Sequence, residues 1–387
     1  MTFAHTTSLP WLLPGCPAPP SWSLDWNTLL TRYSWLHDLA DTPQDPDYHA
    51  EGDVLTHTLM VAEALVALPA WQALIPPARA MLFAAALLHD VAKPICTEID
   101  GGGGIRSPHH ARKGEQLART LLWRDAAQYG GIPFPYREHL AKLVRHHGLP
   151  LWFLDNADPA RAVVAASQIV RLDYVALLAE ADVRGRICSD QRELLDRIEL
   201  FRQYCAELSC LAQPRAFASA HSRFLYFRQP DTALHYDAYD DTRFEVTLLC
   251  GLPAAGKDTW VRQHASDLPI IALDAIRVEL GVAPRKPSGQ VVLHAKRRAR
   301  ELLRHQQPFA WNATNITRRL RHQLIDLFTG YGARVRIVYV DAPLDVLLQR
   351  NRARPEPVPE KVIARMLETF ELPDPTEAHI VDYVWNT

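Results

Sequence analysis

Between Thr56 and Ile187 the chain keeps a helical rhythm. The stretches HTLMVAEALVAL, ARAMLFAAALLHDVAK, KGEQLARTLLW, YREHLAKLVRHHG and AVVAASQIVRLDYVALLAEADVRG place apolar residues at i, i+3, i+4 and i+7. Gly, Pro and Asp clusters divide them, among them GGGG at 101–104. DQRELLDRIELFRQYCAEL adds one more helix, so an all-α domain is expected over 1–210. The rhythm then changes. RFLYFRQP and ALHYDAYDD are aromatic-rich and read as strand-like or irregular. FEVTLLC, PIIALD, PFAWNAT and ARVRIVYVD are short apolar runs of β type, separated by the helical stretches VLHAKRRARELLRH, TRRLRHQLIDLFTGY and LDVLLQRNRAR. Strands alternating with helices predict a parallel α/β sheet. The expected organisation is a helical domain over 1–210, a linker over 211–242 and an α/β domain over 243–387.

Composition adds limits. A chain of 387 residues suits two domains. Apolar residues at 48% and charged ones at 22% are ordinary for a soluble globular protein. A net charge of −2 gives no global field toward nucleic acid or membrane, so any such contact must come from local basic clusters. The six cysteines form no CxxC pair and read as reduced thiols of a cytoplasmic protein. The Pro-rich N-terminus lacks the layout of a signal peptide, and no run is long enough to span a bilayer.

Two segments carry chemistry. In FEVTLLCGLPAAGKDTW, a strand-like run meets a glycine loop and a helix, the arrangement in which backbone N–H groups meet phosphate. Gly251, Pro253, Ala255, Gly256 and Lys257 form the cradle, with Lys257 reaching the β- and γ-phosphates of a nucleotide. Asp258 stands where the pattern wants Ser or Thr. It can hold Mg²⁺ through a coordinated water, or Thr259 can supply the hydroxyl one step on. Asp274 in LDAIR suits a general base for an attacking hydroxyl, and equally a helix N-cap. Arg277 can pin a phosphate of the acceptor. Arg350, Arg352 and Arg354 precede a Pro-rich loop, as on a lid that closes over nucleotide, or as a solvated helix end.

GLPAAGKDTW, LDAIR, WNATN with TRRLR, and RNRAR, in that order over about 243–387, resemble the 5′-hydroxyl polynucleotide kinase branch of P-loop phosphotransferases. The resemblance implies ATP or another NTP as donor, with Mg²⁺. It departs from the family at Ala254, where Gly is more usual, and at Asp258.

The second segment is ALLHDVAKP, which ends an apolar helix with His89 and Asp90. His57, His110, the pair His146 and His147, and Asp182 lie on neighbouring predicted helices. Imidazoles and carboxylates converging across a bundle make a divalent transition-metal site, and the metals turn water into a nucleophile. Lys93, Arg184 and Arg186 can neutralise phosphate oxygens. Over 49–187 this pattern resembles the HD phosphohydrolase superfamily, an α-helical bundle. The resemblance implies one ion on His57, His89, Asp90 and Asp182. A second is expected on His110 and His146, with Asp90 bridging and His146 taken over His147. Mn²⁺, Ni²⁺ or Co²⁺ suits such ligands. His49 and Glu51 lie close by without an assigned role.

Together the halves resemble bacterial HD-domain polynucleotide kinases. That implies RNA or DNA ends as substrates, 2′,3′-cyclic or 2′/3′-phosphate removal beside 5′-OH phosphorylation, and hand-off to a ligase. The runs KRRARELLRH and TRRLRHQ can steer a nucleic-acid backbone or be solvated helix faces. Phe224, Tyr226 and Phe227 suit base stacking or a core. A small-molecule kinase fused to a nucleotidase shares every one of these residues, and a non-catalytic nucleotide sensor shares the loop.

Overall fold

The computed structural model describes residues 11–283 and 289–385. The N-terminal stretch read above as no signal peptide lies partly outside them. The chain divides into two compact units, 2–216 and 217–387. Residues 217–242, expected as part of a linker, therefore belong to the second unit.

The first unit is helical. Its main helices are Val54–Ala67, Pro76–Leu88, His110–Arg124, Phe134–His146, Leu172–Arg184 and Gln191–Glu207. Local chemistry sets their starts. Asp53 caps the first, accepting from Thr56 N–H at 2.8 Å, and Pro76 opens the second with its fixed φ. Pro76–Leu88 is apolar nearly all round and is buried from Ala80 to Leu88, so it runs through the middle. It packs on Val54–Ala67, Phe134–His146 and Leu172–Arg184. The core includes Leu65, Phe83, Leu122, Leu140, Leu178 and Ile198. One expected helix is two: Pro159–Ser167 and Leu172–Arg184 meet at 107°. The break is pinned by polar bonds, from Gln168 Nε2 to Arg215 O and from Arg171 N–H to His139 Nε2. A small antiparallel hairpin, Glu98–Ile99 with Ile105–Arg106, carries the GGGG turn. Among the described residues no single helix is long and apolar enough to cross a membrane.

The second unit is a parallel sheet with helices. Its strands are β1 (Phe244–Cys250), β2 (Ile270–Ala272), β3 (Phe309–Asn312), β4 (Ala333–Asp341) and β5 (Ile380–Trp385), in the order β2-β3-β1-β4-β5. Central β1 is buried from Val246 on and apolar there except for Thr247, with Leu248 opposite both Trp311 and Ile337. The sequence reading missed β5, an edge strand interrupted by Asp382 and only partly buried. RFLYFRQP, expected as strand or irregular chain, lies largely in the helix Ala220–Arg228, capped by Ser219. Phe224 stacks on His379 with ring centroids 4.1 Å apart and is buried, as is Tyr226, so both are core residues. From β1 the chain crosses toward β2, and from β4 toward β5. The strand order thus reverses between β1 and β4, the place where open α/β sheets bind ligands beyond their strand ends.

Two candidate active sites

At that crevice the glycine loop leaves β1. Gly251 has φ +144°, and a Cβ there would lie 2.4 Å from Val340 O on β4, so only glycine fits. Gly256 (φ +111°) turns the chain into the helix Lys257–His264. Ala254 takes φ +62°, a left-handed position that a residue with a Cβ adopts less readily than glycine. Pro253 and Ala255 are buried within the loop. The first N–H groups of Lys257–His264 have no partner inside the helix, which suits them to an anion.

Lys257 folds over the loop, donating from Nζ to Gly251 O at 2.9 Å and Leu252 O at 2.8 Å. Burial lowers its pKa to about 8. Asp258 is exposed and accepts from Asn312 Nδ2 at 2.6 Å, while Thr259 Oγ1 accepts from Arg262 at 3.2 Å. Asp258, not Thr259, is thus held toward the end of β3. Asp274 does not cap its helix, Leu273–Glu279, whose N-cap is Ala272. Its carboxylate is 92% exposed and lies 3.9 Å from Arg354. Arg350 reaches the loop, its Nη1 3.9 Å from a Cβ placed on Gly256. Arg352 does not join them. It pairs with Glu360 at 2.7 Å in solvent, and Arg277 donates to Ala283 O. Buried Asn351, which the sequence reading passed over, exchanges two hydrogen bonds with the Val358 backbone and closes the Pro-rich turn.

TRRLR is largely structural. Arg321 is fully buried against Glu377 in a bidentate pair at 2.8 Å and also donates to Asn315 O. Arg318 pairs with Asp374 at 2.9 Å. This brace holds the WNATN turn, where Asn315 bonds Leu249 O and Thr314 O accepts from Gly251 N–H.

In the helical unit, side chains from five places converge. His57 comes from Val54–Ala67, His89 and Asp90 follow Pro76–Leu88, and His110 opens His110–Arg124. His147 follows Phe134–His146, and Asp182 lies late in Leu172–Arg184. Ligand atoms of His57, His89 and Asp90 all lie within 4.8 Å of one another, and so do those of Asp90, His110 and His147. Asp90 is common to both groups. The structure brings in His147 and not His146. His147 stands at i+7, i+4 and i+3 from the apolar Leu140, Leu143 and Val144, whereas His146 has His139, Lys142 and Leu143 at those spacings. The apolar phase of the helix points the same way.

The ring orientations suit metal. His89, His110 and His147 donate Nδ1–H to Ala86 O, Ser107 O and Val144 O, each at 2.8 Å. A neutral imidazole that donates at Nδ1 presents a lone pair at Nε2. The Nε2 atoms of His110 and His147 face each other at 3.4 Å, and His89 Nε2 lies 3.4 Å from His57 Nε2 with carboxylate oxygens of Asp90 and Asp182 at 3.1 Å from the two rings. Asp90 Oδ1 is buried and makes no hydrogen bond among the described residues. Ring nitrogens converging on a buried carboxylate oxygen that makes no hydrogen bond fit cations between them. His57 is oriented from behind, its Nδ1 2.8 Å from Glu51 Oε1, an oxygen that His49 Nδ1 also meets at 2.8 Å.

Asp182 lies 3.1 Å from His57 Nε2 and is gripped by Arg186, at 3.0 and 2.6 Å. Against the cost of burial, Arg186 and His57 hold its carboxyl well below the usual carboxylate range; His89 and Lys93 do the same for Asp90. Burial, with His110 and His89 beside it, lowers His147 to about 3. Lys93 meets Asp90 at 2.8 Å and Gln44 at 2.7 Å. Arg184, expected at the phosphate, instead pairs with Glu180 and does not line the cleft, because i+4 spacing matches it to Glu180 and matches Arg186 to Asp182. Gly185 lets the helices carrying His57 and Asp182 meet, since a Cβ there would lie 2.7 Å from Val61 N.

Residues 246–373 match the AAA domain family. The L-seryl-tRNA(Sec) kinase of Methanococcus maripaludis is 26% identical over 135 residues, covering 33% of this chain and 53% of that one. The chain thus spans about half the length of this curated relative. A kinase-like protein of Chloroflexus aurantiacus shares 17% identity over 37% of this chain and 88% of its own, with a TM-score of 0.32. A gluconokinase from Sinorhizobium meliloti shares 19% over 37% and 84%, with a TM-score of 0.27. The C-terminal region is a P-loop kinase-like domain with kinase relatives, which implies ATP and Mg²⁺.

Proposed function

We propose that this chain heals nucleic-acid ends, with a 5′-hydroxyl kinase in its C-terminal unit and an HD-type phosphohydrolase in its N-terminal unit. The observation that carries the second activity is Asp90, shared by two groups of imidazole ligands. Metal ions bound there supply an activated water and neutralise phosphate charge. The chain does the rest. Arg186 fixes Asp182, Glu51 orients His57, and Lys93 holds positive charge beside Asp90 where a phosphate oxygen would otherwise be repelled. Hydrolysis of a 2′,3′-cyclic phosphate adds water oxygen to phosphorus, opens one P–O bond and returns a proton to the leaving ribose oxygen.

In the kinase unit, Lys257 and the loop N–H groups hold the nucleotide phosphates. Exposed Asp274 accepts the proton of the incoming hydroxyl. Arg350, beside Gly256, and Arg354, beside Asp274, would neutralise the transferring phosphate, and Asp258, steadied by Asn312, would hold Mg²⁺ when it is bound. A kinase for another hydroxyl acceptor is the second reading. It is favoured by the relative named as an L-seryl-tRNA(Sec) kinase, and by the burial of Arg321 against Glu377, which removes it from any backbone track. The deciding assay offers γ-labelled ATP with a 5′-OH oligonucleotide bearing a 3′-phosphate and, in parallel, with nucleosides and other small hydroxyl compounds, across a metal series. Label on the strand and release of phosphate support end healing. Label passing only to small hydroxyl compounds overturns the polynucleotide reading.

A further inference from the structure

The cleft above the Asp90 cluster has two lobes that share His49, Lys93, His110, Trp152 and Arg186. One lobe, of about 570 Å³, contains Asp90, His147 and Asp182. The other, of about 370 Å³, leads away from them past Tyr48, Ile105 and Leu194. Both volumes fall in the range of small-ligand sites. Of the cations on the second lobe, Lys93 is already paired with Asp90 and Arg186 with Asp182, and Arg106 shares the lining with Asp45 and Asp190, so no cation is left over for another phosphate. Its occupant is therefore a neutral group attached to the phosphate at the cluster.

Two aromatic side chains stand on this cleft half in solvent: Trp152 is 51% exposed and Tyr48 56%. Neither is a core residue. Trp152 is nevertheless held in place. The Arg197 guanidinium sits 5.3 Å from its ring centroid, and Arg197 is itself anchored to Glu193 at 2.8 Å and Leu151 O at 3.4 Å. Each aromatic is also tied by the chain to one ligand group. Trp152 follows His147 by five residues. Tyr48 precedes His49, which shares a Glu51 oxygen with His57. A fixed, half-exposed indole is a surface on which any nucleobase can stack.

We propose that Trp152 and Tyr48 form a nucleobase platform in this cleft, so that it selects nucleotides over base-free phosphate esters. The inference rests on the phosphohydrolase reading of this unit. The platform contributes binding and specificity and takes no part in the bond-breaking step.

The full chain with Mn²⁺ is assayed on adenosine 2′,3′-cyclic phosphate and on the cyclic phosphate of 1,2-propanediol, which has no base. Adenosine 3′-monophosphate binding is measured alongside by calorimetry, which needs no turnover. Trp152→Ala is expected to raise KM for the nucleotide roughly tenfold or more, in line with the loss of one stacked base, and to leave the base-free ester unchanged. Trp152→Phe should recover most of the loss, and circular dichroism checks folding. Equal effects on both substrates, or nucleotide binding unaltered in Trp152→Ala, overturn the platform. If neither ester is hydrolysed yet Trp152→Ala still weakens nucleotide binding, the platform stands and the phosphohydrolase reading falls. A longer oligonucleotide with the same terminal phosphate, bound no differently from the mononucleotide, would place recognition in the terminal base alone.

Discussion

His110 Nε2 and His147 Nε2 stand 3.4 Å apart, each ring having given its Nδ1–H to a backbone carbonyl. Two acceptors at that distance repel unless a cation lies between them. His147→Ala should therefore remove one equivalent of bound transition metal and cut phosphohydrolase turnover at least a hundredfold, whereas His146→Ala should leave both near wild type. Metal analysis by mass spectrometry, with rates on a 3′-phosphate oligonucleotide, checks this. Retention of the second ion in His147→Ala would move the site elsewhere.

Asp90 makes a sharper case because it belongs to both ligand groups. Asp90→Asn should lose both ions together and His89→Gln chiefly one, while 5′-kinase activity stays intact in each. A metal count that falls equally in the two variants would contradict the bridging geometry.

These residues show what a single sequence exposes. The helical unit and four of the five strands of the parallel sheet are legible because apolar spacing reports which face is buried. β5 escapes because an edge strand carries Asp382 and packs on one side only. The ligand set is nearly legible from residue type, but the choice between His146 and His147, or Arg184 and Arg186, turns on helical phase and i+4 pairing. The buried Arg321–Glu377 pair was hidden for a different reason. Its partners lie 56 residues apart, and TRRLR has the composition of a solvated face.

That pair predicts a stability effect. Arg321→Met leaves Glu377 buried without its counter-charge, a loss of about 3–5 kcal/mol. Burial already raises the Glu377 carboxyl, and Arg321 is the chief group lowering it. In the variant the carboxyl rises further, so the folded state takes up a proton more readily than the unfolded chain. The destabilisation should be largest at high pH and shrink as pH falls. Arg321→Met with Glu377→Leu should recover most of the loss. Urea unfolding followed by kinase activity, at several pH values, measures both.

Lys257 gives a prediction on nucleotide binding. Burial lowers its ammonium to about pH 8 while it bonds only to loop carbonyls. Below that pH it is charged and attracts phosphate. Above it the empty site holds a neutral amine, and binding must take up a proton, since bound phosphates favour the charged form. ATP affinity should therefore be flat at lower pH and fall by roughly tenfold per pH unit above about 8. Lys257→Arg, which stays charged, should bind with no such step. Calorimetry in two buffers of different ionisation enthalpy reads the proton uptake directly.

Arg186 and Arg184 sit two residues apart and face different partners. Arg186 grips both oxygens of Asp182 and lines the cleft, whereas Arg184 is 47% exposed beside Glu180. Arg184→Ala should change stability by less than about 1 kcal/mol, as exposed pairs do, and leave both activities unaltered. Arg186→Ala removes the guanidinium that fixes Asp182, leaving a buried carboxylate with His57 as its remaining close partner. Phosphohydrolase turnover should fall at least tenfold, and metal affinity should change with it because Asp182 is no longer oriented. Arg186→Lys keeps the charge but not the two-pronged grip, so it should rescue only part. Equal rates in Arg186→Ala and Arg184→Ala would show that Asp182 needs no such support.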